Sequence, residues 1–269
     1  MTLAPPRRDD DDEDSDADAV ERLTPGSERR LLLICEHASQ RLPERWVWPE
    51  EDRWLIGTHW AIDLGAAELT RALARALGCP AILARFSRLL VDPNRPEDSP
   101  TLFRDEAEGR PVALNHRLDD DERERRLAGY YRPYHRAIDQ ALAAAPEASI
   151  FSVHSFTPIY EGRPRAVELG ILYDRHRELA ARFADALTEA AAEHAPGLHI
   201  AHNEPYSGIL GFAYSPERHG AAHGRRCLEI EVRQDLALDR ARRPALLAIL
   251  VAALRAALLD ERRPLRRGP

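Results

Sequence analysis

Two apolar runs set the frame of the chain. "RLLLICE" (residues 30–36) and "ASIFSVHS" (148–155) are almost continuously apolar but too short for a core helix. Short runs of this kind, bounded by polar turns, predict strands buried on both faces. Further strands are predicted at "AILARFSRLLVD" (81–92, one strand or two), "AVELGILYD" (166–174), "LHIAHNEP" (198–205) and "RCLEIEV" (226–232). Helical spacing appears between them. Residues 61–78 repeat Leu and Ala every three or four positions and stop at Gly78, a suitable C-cap. Residues 119–145 place Leu127, Tyr130, Tyr131, Tyr134 and Ile138 along one side, with a bend or a new turn expected at Pro133. Helices are also predicted over 175–194 and 235–259, and polar loops over 93–112 and 206–224.

Strands alternating with helices predict an α/β fold: a doubly wound, mostly parallel sheet with helices on both faces. Ligands of such sheets bind outside the carboxyl ends of the strands. The 269 residues suit one large domain, expected over 29–262. Charge refines the boundaries. Residues 9–21, "DDDDEDSDADAVE", hold nine acidic side chains, and removing them from the net −7 leaves about +2. A like-charged block cannot bury apolar surface, so residues 1–28 are expected to be a disordered acidic tail. Residues 263–269 are expected to form a basic C-terminal tail.

Composition then removes several classes. The sequence contains no lysine, which excludes a Schiff-base lysine and a Walker-type phosphate loop. Cys35, Cys79 and Cys227 are scattered, which argues against a disulfide framework or a thiolate zinc site. No apolar run reaches membrane-spanning length, and no signal pattern opens the chain, so a cytoplasmic setting without a membrane partner is expected. No basic stripe with interleaved aromatics appears, and nucleic acid is not an expected partner.

The chemistry gathers where the apolar patterns stop. His37 and His154 both follow predicted strands, so both can reach one crevice, and neutral imidazoles meeting there suit zinc or another divalent metal. Asp63, in "THWAIDLG", is the expected third ligand, although its place also suits a helix cap; His59 is a further candidate. Glu36 is set aside because neighbours on a strand point to opposite faces. Glu229 and Glu231 share a face of their strand, and Glu231 lies nearer the crevice, where a carboxylate beside activated water is a general base. A surface ion pair with Arg233 is the plainer alternative. Arg88 and Arg95 suggest an acidic substrate, because a guanidinium grips a carboxylate with two parallel hydrogen bonds. Asn203, Tyr206 and Ser207 in "NEPYSG" are candidates to close over a ligand.

Seven segments in order, "CEHASQRLP", "AIDLG", "FSRLLVDPNR", "YYRPYH", "VHSFTP", "NEPYSG" and "LEIEVRQDL", resemble the N-formylglutamate amidohydrolases. The resemblance spans about residues 30–240. It implies a fold like that of zinc carboxypeptidases and aminoacylases. It also implies metal-assisted hydrolysis of the amide of a small N-acyl acidic amino acid, N-formyl-L-glutamate to formate and glutamate, as in histidine breakdown. On this likeness His37 and His154 are metal ligands and Glu231 is the base. Arg88, Asn94 and Arg95 then contact the substrate carboxylate and the transition state. The zinc carboxypeptidases carry a Glu three residues after the first His, where this chain has Gln40. The rival expectations are another metal-dependent amidase, acting on peptides, acyl-amino acids or cell wall, and a non-catalytic binding protein on the same fold.

Overall fold

The continuous apolar runs do form the centre of a sheet. The computed structural model describes residues 18–260. Its main sheet comprises β1 (Val20–Leu23), β2 (Leu31–Cys35), β3 (Ala81–Ala84), β4 (Ser149–Phe156), β5 (Leu169–Leu172), β6 (Ile200–His202) and β7 (Cys227–Arg233). In space the order is β1-β3-β2-β4-β7-β5-β6. Strands β3, β2, β4 and β7 run parallel. β1 joins β3 antiparallel, β5 joins β7 antiparallel, and β6 lies parallel to β5. The expected mostly parallel sheet is present.

Alternation along the strands feeds two cores. Leu31, Leu33, Phe151, Val153, Leu228 and Ile230 face α1 (Ala66–Leu77), α4 (Arg177–His194) and α7 (Arg243–Leu254). Leu32, Ile34, Ile82 and Ile150 face the opposite way, against α3 (Arg132–Ala144). Helices therefore cover both faces, as burial of two apolar surfaces requires. Gly78 caps α1 at φ 68°, a left-handed conformation that costs glycine little. No helix among the described residues is long and apolar enough to cross a membrane.

Several elements depart from the sequence-based expectation. The run 81–92 leaves the sheet at Ala84; Phe86, Leu89, Leu90 and Val91 are still buried, but in a turn. The Ser87 hydroxyl donates to the Ala61 carbonyl at 2.9 Å, and the Ser87 carbonyl accepts from the Leu90 N–H. Residues 119–145 split into α2 (Asp120–Arg126), a π turn (Leu127–Tyr131) and α3, which has Pro133 in its first turn. Proline supplies no N–H to the preceding turn, and the wider π turn absorbs that break. Half of the expected loop 206–224 is α5 (Tyr214–His223). The last helix is interrupted between α6 (Gln234–Leu238) and α7, where Asp239 Oδ1 accepts the N–H groups of Ala241 and Arg242.

The N-terminal boundary also needs correction. Residues 18–28 are not a disordered tail: Ala19 and Val20 are buried, and β1 completes the sheet edge. Two acidic residues counted with the tail have fixed partners. Asp18 pairs with Arg41 and Glu21 with Arg71, each at 2.7 Å. The rest of the expected acidic tail, and residues 263–269, lie outside the described residues.

Candidate active site

Along one face of the central strands the side chains change from apolar to polar toward the carboxyl ends. On β4 the order is Ile150, Ser152, His154; on β7 it is Cys227, Glu229, Glu231. The parallel register sets Glu229 beside Ser152 and Glu231 beside His154. On β2, Ile34 pairs with Ser152. Neighbouring strands lie about 4.8 Å apart, so in-register polar side chains are brought into contact. β2 ends at Cys35, and Glu36 and His37 lie in the following turn. Strict alternation lapses there, and both side chains enter the site. The Asp63 N–H donates to the His37 carbonyl at 3.0 Å, which ties the approach to α1 against that turn.

Both imidazoles converge on one carboxylate oxygen. Asp63 Oδ2 lies 2.8 Å from Nδ1 of His154 and 3.4 Å from Nδ1 of His37. The rings meet edge to face with centroids 4.7 Å apart. Behind each ring stands another carboxylate: Asp92 Oδ1 at 2.8 Å from His37 Nε2, and Glu36 Oε2 at 3.0 Å from His154 Nε2. Ser152 donates to the same Glu36 oxygen at 2.6 Å. Arg88 contacts Asp92 at 2.7 Å and Asp63 at 3.5 Å. A carboxylate holding one ring nitrogen so that the other points at a shared centre is how histidine metal ligands are oriented.

The charge balance points the same way. Glu36, Asp63, Asp92, Glu229 and Glu231 are all buried around two imidazoles and the Arg88 guanidinium. Uncompensated buried charge is costly. Burial opposes ionisation of Asp63, but the charges and hydrogen bonds of His37 and His154 outweigh it and hold the carboxyl below its ordinary range. Burial also works against charged His154, but Glu229, Asp63 and Glu36 hold its pKa well above the usual imidazole value. Burial pushes Glu229 up to about 7, and it pushes Glu231 well above the carboxylate range, with Asp63 and Glu229 adding to the effect. Glu231 Oε2 and Glu36 Oε1 are buried with no hydrogen-bond partner among the described residues. Two imidazoles and a carboxylate within 4.8 Å, with excess negative charge around them, fit a divalent cation. A second grouping, His154 with Glu229 and Glu231, is also close enough, but it gathers only one imidazole.

The face opens into a cavity of about 170 Å³. Trp60, Tyr160, Tyr206 and Phe212 form much of its apolar wall, and Arg88, Arg95 and Arg104 line it as cations. Gly170, opposite Glu231 on β5, lets the 203–206 loop approach; a Cβ there would meet the Glu204 carbonyl at 2.0 Å.

The chain matches the N-formylglutamate amidohydrolase family over residues 29–238. It belongs to that family. This family member is accordingly an amidohydrolase, a hydrolase that cleaves amides. The chain is similar in structure to a gene product of Agrobacterium tumefaciens, with TM-score 0.80 and 30% identity over 90% of this chain and 96% of that one. It shares its fold with an N-formylglutamate amidohydrolase from Ralstonia eutropha, with TM-score 0.57 and 21% identity over 89% of this chain and 97% of that one. No curated protein matches the chain by sequence.

In this amidohydrolase, His37, His154, Asp63, Glu231, Arg88, Arg95, Asn94 and Tyr206 all line the cavity. Asn203 and Ser207, the candidates to close over a ligand, are not among its lining residues. The Asn203 side-chain carbonyl is occupied by the N–H groups of Tyr173 and Gly208, and the Ser207 carbonyl by Leu210 and Phe212. Both shape the loop that carries Tyr206. Asn94 is similarly committed: its Nδ2 donates to the Phe212 carbonyl and its Oδ1 accepts the Ser215 N–H. His59 lines the cavity with Nε2 lacking a partner among the described residues and its ring against Trp60, outside the grouped ligand atoms. Asp92 and Arg104 carried no expected role, and Glu36 was set aside, yet all three stand at the site. Asp92 stood in "VDPNR", where only its neighbours carried a role.

Proposed function

We propose that this amidohydrolase uses zinc to hydrolyse the amide of a small N-acyl acidic amino acid, with N-formyl-L-glutamate as the leading substrate. Convergence of both Nδ1 atoms on Asp63, beside the unpartnered Glu231 oxygen, carries the reading. His37, His154 and Asp63 would hold the ion. When bound there, zinc supplies Lewis acidity, which polarises an amide carbonyl and acidifies water.

Glu231 takes the proton of the attacking water at its free Oε2 and returns it to the departing nitrogen. Arg88 is anchored by Asp92 and Asp63, so it sits in a fixed place to stabilise the oxyanion. Arg95 lies over the Phe212 ring and Arg104 over Trp60. Neither has a carboxylate partner among the described residues, so both have charge to offer an acidic substrate. A small cavity walled by aromatic rings favours a single acylated amino acid over a peptide or a cell-wall strand.

Steady-state hydrolysis of formylglutamate, acetylglutamate and a neutral formyl amino acid by the zinc-loaded protein tests the reading. Highest kcat/KM is expected for formylglutamate. Preference for the neutral substrate would overturn the assignment.

A further inference from the structure

We propose that Asp139, His219 and His223 form a second divalent-cation site, suited to zinc, on the seam between α3 and α5. It lies outside the catalytic cavity, whose lining includes none of the three.

His219 and His223 are four residues apart on α5, so both project from one helical face. Asp139 comes from α3. A single oxygen, Asp139 Oδ1, lies 2.7 Å from Nδ1 of His219 and 2.9 Å from Nε2 of His223. The three ligand atoms all lie within 4.8 Å of one another. Two imidazoles and one carboxylate are a zinc donor set. His219 is fully buried, whereas the side chains of His223 and Asp139 are 22% and 38% exposed. The open side leaves room for water as a further ligand.

The far nitrogen of His219 is held: Nε2 lies 2.9 Å from His135 Nδ1. Without an ion, His219 donates from Nδ1 to Asp139 and accepts from His135 at Nε2. With an ion on Nδ1, the proton moves to Nε2 and His219 donates to His135 Nδ1, whose own proton moves to the far nitrogen of that ring. Either tautomer keeps the hydrogen bond, so the ring is oriented for ligation before the ion arrives. His135 Nε2, which would take that proton, is buried with no hydrogen-bond partner among the described residues.

Arg218 is the opposing element. Its Nη1 lies 3.9 Å from Asp139 and 3.1 Å from His219 Nε2. Its side chain is 38% exposed and is free to turn toward solvent. An ion here would clamp α5 to α3. The first turn of α5 gives the Ser215 N–H to Asn94 at the catalytic cavity, so the clamp would steady that wall.

The test is zinc stoichiometry on the full chain. Metal-depleted protein is equilibrated with buffered free zinc and analysed by elemental mass spectrometry, alongside thermal unfolding. Wild type should hold one more ion than His223→Ala, whatever number the catalytic cavity takes. Asp139→Asn, nearly isosteric, should lose the same ion. Zinc should raise the Tm of wild type more than that of either variant. Arg218→Ala should keep the ion and bind it more tightly. Equal zinc content in wild type and both folded variants would overturn the site. Failure of the catalytic site to take zinc would lower all counts together and leave the difference intact.

Discussion

Nε2 of His37 lies 2.8 Å from Oδ1 of Asp92, and the other Asp92 oxygen is held by Arg88 at 2.7 Å. Glu36 stands behind His154 in the same manner, at 3.0 Å. Each carboxylate fixes which nitrogen of its imidazole faces Asp63. Asp92→Asn and Glu36→Gln keep shape and lose charge. Each is expected to weaken metal binding about 10- to 100-fold without touching a ligand. Competition against a chromogenic chelator measures this; wild-type affinity in both variants would show that the two carboxylates are only structural.

The proposed base is separable from the ligands. Glu231→Gln keeps the side-chain volume and removes the proton acceptor. Metal content should stay at the wild-type level while kcat falls by about two orders of magnitude or more. Elemental analysis paired with single-turnover kinetics decides it. Wild-type turnover would move the base to another group, with Glu229 next in line.

Arg104 should affect selectivity more than chemistry. Burial, with Arg88 and Arg95 nearby, makes its charge less favourable in the cavity. An anionic substrate would relieve that repulsion. Arg104→Ala should therefore raise KM for an acidic substrate by about tenfold or more and leave KM for a neutral analogue near its starting value. Equal losses on both substrates would point to a wall residue without a role in charge recognition.

Glu229 gives the metal-free protein a distinct pH response. Burial pushes its carboxyl up to about 7 from an ordinary 4.5, with Glu36 and Asp63 adding to the shift against His154 and Arg95. Between those values the folded chain holds a proton that the unfolded chain has released. The stability that Glu229 contributes therefore falls as pH rises through that window. His135 and His219, held low by burial, act in the opposite sense below the ordinary imidazole pKa of 6.5. The comparison with Glu229→Gln reads the carboxylate together with the His154 charge that it helps to hold. From about pH 5 to about pH 8, metal-free wild type should lose more Tm than the variant does. Parallel curves would mean that Glu229 titrates as an ordinary carboxylate.

Local pattern was enough for the sheet and for most of the proposed catalytic residues. Short continuous apolar runs bounded by polar turns fit buried strands, and a histidine closing such a run lies near the carboxyl edge where parallel sheets bind ligands. The period of two along "RCLEIEV" put Glu229 and Glu231 on one face, and β7 bears that out beside His154. Periodicity was less reliable where burial comes without a regular ladder. Phe86, Leu89, Leu90 and Val91 are as buried as strand residues, but they lie in a turn closed by Ser87. The helix at Tyr214–His223 was hidden because its face meets His135 and Asn94 across the fold rather than an apolar stripe.

What the sequence determined by itself was the central strands, the main helices between them and the residues delivered to the sheet edge, because these depend on neighbours within a few positions. Tertiary structure decided the partners. Glu36 was set aside by strict alternation, yet β2 stops one residue earlier and the turn brings Glu36 onto His154 Nε2. Asp92 became the support of His37 across 55 positions, and Asp139 met His219 across 80. The Asn203 side-chain carbonyl was turned to its own loop because backbone N–H groups there need acceptors. Hydrogen-bond and charge partners are chosen by three-dimensional proximity in a desolvated interior, and sequence periodicity holds no record of that distance.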